Sequence, residues 1–144
     1  MLSTSFKNRE KFALCFIDVD KFKPINDEYG HLVGDGVLIE IANRIQRASR
    51  SKDFFGRLGG DEFIIILNQI KNITDTVRII ERIQRTLSEP MKIQGSVIRI
   101  SCSIGIGVYT FDEFLQTSKI LNDADSAMYK VKSKGGGSYS FYNY

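Results

Sequence analysis

Gly59-Gly60-Asp61-Glu62-Phe63 runs directly into Ile64-Ile65-Ile66-Leu67. Paired glycines between two strand-like runs signal a hairpin turn, and the apolar run from Phe63 to Leu67 predicts a buried strand. Asp61 and Glu62 therefore stand at a strand tip. Upstream, Arg50 to Leu58 leads into the turn, and Phe12 to Ile17 forms a second continuous apolar run ending at Asp18, again a buried strand with an acid at its tip. Between them, Asp20 to Gly30 mixes charge with Pro24 and predicts a loop or short helical turn. Leu38, Ile41, Ala42 and Ile45 recur at helical spacing within His31 to Ser49.

Downstream, Val77, Ile80, Ile83 and Leu87 mark a helix over Thr74 to Leu87, which Pro90 stops. Gly95-Ser96 separates two short runs. Ile98, Ile100, Cys102, Ile104, Ile106 and Val108 then alternate as one long strand. Leu121, Ala124, Met128 and Val131 predict a last helix closed by Gly135-Gly136-Gly137, and Ser140 to Tyr144 a final edge strand. The order contains a β-α-β-β-α-β core with an extra hairpin strand and a C-terminal helix. The expected class is α+β, a ferredoxin-like, palm-type antiparallel sheet, with both core helices on one face. In that topology the tip of the first strand and the central hairpin lie side by side, so Asp18 and Asp61-Glu62 converge.

The 144 residues fit a single domain spanning 1–144. A hydrophobic share of 42% with 26% charged residues supports an ordinary core, and a net charge of +3 is too small for a nucleic-acid footprint. Cys15 and Cys102 sit in apolar runs, as buried thiols do. With His31 as the one histidine and no Cys-x-x-Cys, a zinc site is not expected. The opening residues carry no signal-peptide core, and the longest apolar run is far too short to span a bilayer. The expectation is a cytoplasmic domain without membrane contact, within a parent protein that is free to carry membrane segments elsewhere.

Turn acids are ordinarily just solvated. Three of them at adjoining tips repel one another unless a cation intervenes, and carboxylate oxygens without imidazole or thiolate favour Mg²⁺ or Mn²⁺. Two such ions roughly 3.5–4 Å apart activate a hydroxyl and stabilise a phosphoryl leaving group.

The signature Gly59-Gly60-Asp61-Glu62-Phe63, the string Asp18-Val19-Asp20-Lys21-Phe22-Lys23 with Asn26-Asp27, Gly30-His31 and Gly34-Asp35, and the later Ser103-Ile104-Gly105, Ala124-Asp125, Tyr129 and Lys132 together resemble the GGDEF, or diguanylate cyclase, family. The resemblance spans roughly Phe12 to Tyr144. It implies condensation of two GTP molecules into cyclic di-GMP across a homodimer, with two Mg²⁺ (or Mn²⁺) ions per active site. By resemblance, the metal ligands are Asp18, the Val19 carbonyl, Asp61 and Glu62. Asp61 and Glu62 are also the catalytic acids, and which of the two draws the proton stays open. Asn26 and Asp35 match the guanine readers. Phe22, Lys23 and Lys132 match the phosphate-binding positions, and Gly59 and Gly60 let the α-phosphate approach the backbone. Read without the family, Asp35 is a helix-start cap, and His31 structures its loop.

Arg50-Ser51-Lys52-Asp53 matches the family's inhibitory Arg-x-x-Asp, which implies a feedback site for cyclic di-GMP at Arg50 and Asp53; Arg78, Arg82 or Arg85 could supply a second arginine. Two departures stand out. The opening segment usual before the first strand is absent, so the chain is expected to be a piece of a larger multidomain signalling protein. Gly136 stands where the family commonly has a phosphate-binding arginine, with Lys134 as a partial substitute. The alternative reading is a catalytically weak GTP- or cyclic di-GMP-binding regulatory module. A palm-type cyclase acting on ATP is disfavoured by Asp35.

Overall fold

A computed structural model describes residues 10–111 and 115–144. Phe12, at the start of the run from Phe12 to Ile17, lies in β1 (Lys11–Val19), the central strand. Its apolar run is unbroken because both faces are covered. Ala13, Cys15, Ile17 and Val19 face one apolar cluster, while Leu14 and Phe16 face another.

After β1 come α1 (Phe22–Tyr29) and α2 (His31–Ala48), then β2 (Phe54–Gly59), β3 (Glu62–Ile70) and α3 (Ile73–Ser88). The small hairpin β4 (Met91–Ile93) and β5 (Ser96–Ile98) follows, then β6 (Cys102–Thr110), α4 (Thr117–Ser133) and β7 (Tyr139–Phe141). The main sheet runs β2-β3-β1-β6-β7. β1 pairs antiparallel with β3 and β6, whereas β7 pairs parallel with β6, so the sheet is mixed rather than wholly antiparallel.

Helices α2 and α3 share one face. Val37, Ile41, Ile45, Ile80, Ile83 and Leu87 pack with Ile17, Phe63, Ile65, Leu67, Ile104 and Ile106. Helix α4 covers the other face, where Ala124 and Met128 meet Leu14 and Phe16. Cover on that face is thinner. In β3, Phe63, Ile65 and Leu67 are fully buried while Ile64 and Ile66 are half-buried. The close approach of α4 depends on Gly105, where an added Cβ would run into the Ala124 carbonyl and the Met128 amide.

Three boundaries differ from the expectation. The stretch expected as a loop or short turn is a two-turn helix, α1, entered through Lys21 in the left-handed region (φ 53). The long alternating strand from Ile98 to Val108 is broken. Ser96–Ile98 folds back on β4, and pairing with β1 begins only where the Ser101 carbonyl accepts from the Asp20 amide (2.9 Å), one rung beyond Val19 and Cys102. The final edge strand is Tyr139–Phe141, two residues short of Asn143, whose side chain pairs with the Val108 backbone instead.

Arg44 ties α2 to the end of α3. Buried among apolar neighbours, it donates to the carbonyls of Thr86 (3.0 Å), Glu89 (2.6 Å) and Pro90 (3.0 Å), with Glu40 as its counter-ion. Thr86 lies in the last turn of α3, where carbonyls lack the regular intrahelical bond, and Glu89 and Pro90 follow its end.

Candidate active site

The register places Asp18 directly opposite Glu62 across β1 and β3, and opposite Ser103 across β1 and β6. The hairpin is drawn onto the end of β1 by the Val19 amide, which donates to the Asp61 carbonyl (3.2 Å), and Arg57 Nε secures the turn through the Gly60 carbonyl (2.9 Å). Gly60 adopts φ 52, a conformation that a side chain disfavours. The expected convergence of Asp18, Asp61 and Glu62 thus has a structural basis in strand pairing.

Asp18 Oδ1 is buried and has no hydrogen-bond partner. Its other oxygen lies 3.3 Å from Lys132 Nζ, which also lies 3.3 Å from the Val19 carbonyl. Burial, followed by the charge of Asp61, pushes the Asp18 carboxyl up to about 6, against the opposing pull of Lys132. An orphaned carboxylate oxygen and a cation resting on a carboxylate and a carbonyl both fit a hard divalent ion with oxygen ligands. Asp18, the Val19 carbonyl, Asp61 and Glu62 are the residues able to hold it. Among the described residues no three His, Cys, Asp or Glu side chains close into a cage by themselves.

Asp20, next on the same face of the chain, has a different environment. Its oxygens accept from Ser101 Oγ (2.6 Å), Ser103 Oγ (2.6 Å) and the Gly137 amide (2.8 Å), and Lys132 Nζ lies 3.3 Å away. Burial opposes ionisation, but the two hydroxyls and Lys132 outweigh it and hold the carboxyl below its usual range. Lys132 in turn is raised, because the charges of Asp18 and Asp20 outweigh the cost of its burial.

Helix α1 begins beside this cluster without a side-chain cap, which leaves the amides of its first turn, at Phe22 and Lys23, without intrahelical acceptors. Asn26, on the same helix, lies against α2. An added Cβ at Gly34 would collide with the Asn26 side chain, so Gly34 makes the room that Asn26 fills. Asn26 Oδ1 is buried without a partner. Asp35 does not cap α2, since the helix starts four residues earlier at His31 with Gly30 as its cap. It stands exposed one turn into the helix.

The family model for the diguanylate cyclase GGDEF domain matches residues 1–138. The chain belongs to the GGDEF family. It is 38% identical over 98% of its length to the bifunctional diguanylate cyclase/cyclic di-GMP phosphodiesterase MucR of Pseudomonas aeruginosa, covering 20% of that protein. It is 42% identical over 92% of its length to the diguanylate cyclase TpbB of the same species, covering 30%. A crystal structure comprising only the GGDEF domain of TpbB superposes with a TM-score of 0.89 at 40% identity, covering 99% of this chain and 83% of that one. The chain thus spans about a fifth to a third of these curated relatives.

The inhibitory pair expected in this GGDEF domain lies at the end of β2 remote from the hairpin. Arg50 forks Asp53 through Nε (2.9 Å) and NH2 (2.8 Å), and NH2 also donates to the Asn68 carbonyl (2.8 Å). The Asp53 side chain is 0% exposed and accepts the Arg50 and Asn68 amides as well. Burial works against its charge, but the Arg50 fork prevails and holds it below the ordinary carboxylate range. Beside it is an open cleft of about 290 Å³ lined by Arg50, Lys52, Lys71, Asp75 and Arg78. Of the three candidate arginines, Arg78 borders this cleft, whereas Arg82 donates to the Ala48 carbonyl (2.7 Å).

Sequence reasoning gave no role to Asp20, Ser101 or Ser103. The one available signal was that Asp18 and Asp20, two apart on a strand, share a face. Cys15 and Cys102 are buried free thiols, as expected. No described helix is long and apolar enough to cross a membrane.

Proposed function

We propose that this GGDEF domain condenses two GTP molecules into cyclic di-GMP and two pyrophosphates. The observation that carries the reading is the acidic tip: Asp18 with an orphaned buried oxygen, joined to Asp61 and Glu62 by strand pairing, with a lysine ammonium against Asp18 and the Val19 carbonyl. Mg²⁺ or Mn²⁺, two ions per site, would be held by Asp18, the Val19 carbonyl, Asp61 and Glu62, and would supply positive charge at the α-phosphate and at the attacking hydroxyl.

The protein's own groups do the rest. Asn26 Oδ1 and the Asp35 carboxylate accept the N1–H and N2–H of guanine, a donor pair that adenine lacks. The free amides at the start of α1, Phe22 and Lys23 among them, and the Lys132 ammonium hold the β- and γ-phosphates. Gly59 and Gly60 let the α-phosphate approach the turn. Asp61 or Glu62 takes the proton from the 3′-hydroxyl as its oxygen bonds to the α-phosphorus of the opposing GTP, and the bond to pyrophosphate breaks. Each domain holds one GTP, so two domains face each other about a two-fold axis. Cyclic di-GMP binds at Arg50 and Asp53, with Arg78 as the second arginine, and inhibits from a distance.

Gly136 favours one further reading, a nucleotide-binding regulatory module without turnover, since it withdraws a phosphate-binding charge. Pyrophosphate release separates the two. With Mg²⁺ it should occur from GTP, not ATP, and rise more steeply than linearly with protein concentration at low concentration. No release from GTP at any protein concentration would leave only the binding module.

A further inference from the structure

Asp20 presents a paradox for a site that binds a triphosphate. It places a further negative charge at the end of β1, beside Asp18 and within reach of the lysine assigned to the phosphates. Unlike Asp18, it has no oxygen to spare for a metal. Oδ2 accepts from Ser101 Oγ and the Gly137 amide, Oδ1 from Ser103 Oγ and Lys132, and the side chain is 9% exposed. These partners come from the approach to β6, from β6 itself, from α4 and from the loop that follows α4. One carboxylate therefore pins the start of β6, the end of α4 and the loop after it together.

The glycine loop is fitted to it. At Gly136, φ is +78 and an added Cβ would lie 2.8 Å from the carboxyl carbon and both oxygens of Asp20. The backbone has closed onto the carboxylate where a side chain would hold it off. Lys132 is the last link. Near the end of α4, its flexible stem is held by Asp20 on one side and by Asp18 and the Val19 carbonyl on the other. When a cation takes up Asp18 and Val19, Asp20 is the anchor that remains.

We propose that Asp20 is a positioning residue for nucleotide binding: it fixes Lys132 and the loop at Gly135-Gly136-Gly137 at the mouth of the site, so that a buried anion strengthens the binding of a triphosphate. The inference rests on the cyclase reading for the identity of the nucleotide. It predicts a sign opposite to that of simple electrostatics. A bystander carboxylate repels phosphates, and neutralising it would tighten binding. Neutralising a positioning carboxylate weakens binding, and does so through Lys132.

The test is calorimetric titration of the chain with Mg²⁺ and a GTP analogue carrying a methylene bridge between the α- and β-phosphorus atoms, for the starting protein, Asp20→Asn, Lys132→Gln and the double variant. Asp20→Asn is expected to bind roughly tenfold more weakly, the loss of about one charge-assisted bond. The double variant should match Lys132→Gln within about twofold. Ser103→Ala keeps the charge and removes one bond to it. It is expected to weaken binding several-fold in the presence of Lys132 and not in its absence, which keeps the test open should Asp20→Asn lower folding stability. Binding by Asp20→Asn equal to or tighter than that of the starting protein, or losses that multiply in the double variant, overturns the inference. No binding by the starting protein overturns the underlying cyclase reading instead.

Discussion

Lys132 places its ammonium 3.3 Å from Asp18 Oδ2, so a cation already stands against the acidic tip to which a metal is assigned. It does not neutralise that tip. The Asp18 carboxyl still rises to about 6 from a reference of 3.8, through burial and the neighbouring charge of Asp61. The folded chain therefore holds more protons than the unfolded chain between those values, and this group's contribution to stability falls as pH rises through the window. Metal-free Asp18→Asn should melt above the starting protein at pH 7, with the difference vanishing below about pH 4. Added Mg²⁺ should raise the melting temperature of the starting protein and leave that of Asp18→Asn unchanged. Thermal melts followed by circular dichroism across pH and metal check both statements. A metal-free Asp18→Asn that melts lower at pH 7 contradicts the assignment.

The proposed base selectivity would turn on Asp35, exposed one turn into α2, and on Asn26, whose orphaned oxygen lies across from Gly34. Because Asp35 does not cap the helix, Asp35→Ala should leave the urea midpoint within experimental error while costing GTP binding about 1.5–3 kcal/mol. Affinity for ATP should scarcely change. Equal competition by ATP and GTP in the starting protein would remove guanine recognition from the account.

At the remote site, Arg50 is proposed to have a second duty beside its ion pair. It neutralises a carboxylate with no exposed side-chain surface, so Arg50→Ala should lower stability as well as cyclic di-GMP binding. Arg78 is exposed on α3 and borders the same cleft, so Arg78→Ala should weaken cyclic di-GMP binding and leave the melting temperature alone. The site is a strand's length from the hairpin, so inhibition should be non-competitive with GTP. Unaltered cyclic di-GMP affinity in Arg78→Ala would exclude that residue, and an equal affinity in Arg50→Ala would make the Arg50–Asp53 fork purely structural.

Reinstating arginine at position 136 should not restore what the family arginine supplies. The side chain would meet the Asp20 carboxyl, and a non-glycine residue in the left-handed region costs about 1–2 kcal/mol. Gly136→Arg is expected to lower the urea midpoint, as is Gly136→Ala, and neither should bind GTP more tightly than the starting protein. Tighter binding with unchanged stability would show that the loop closes on Asp20 only loosely.

Much of this was legible in the chain because strong signals coincided. The two acid-tipped strands, the helices carrying Ile41 and Ile80, and the hairpin at Gly59-Gly60 each follow from local periodicity, and β-α-β-β-α-β connection rules bring Asp18 to Glu62. What escaped depended on contacts between distant segments. Alternation continued from Ile98 to Val108, yet the strand breaks between Ile98 and Cys102 because Ser96–Ile98 pairs back on Met91–Ile93, while Ser101 is held through its hydroxyl and its carbonyl by Asp20, 81 residues earlier. Helix α1 was obscured by Pro24, which is tolerated in the first turn of a helix that Lys21 enters in a left-handed conformation. The parallel pairing of β7 follows from α4 crossing the thinly covered face, a layer that no single periodic segment announces.

The most direct test of the central claim is the mass of the product formed when the chain is incubated with Mg²⁺ and GTP alone, beside an Asp61→Asn control. The account predicts a cyclic dinucleotide of two guanylyl units with two pyrophosphates released per product, and neither from the control. Intact GTP after incubation at protein concentrations that support dimerisation, or the same product from Asp61→Asn, would contradict it.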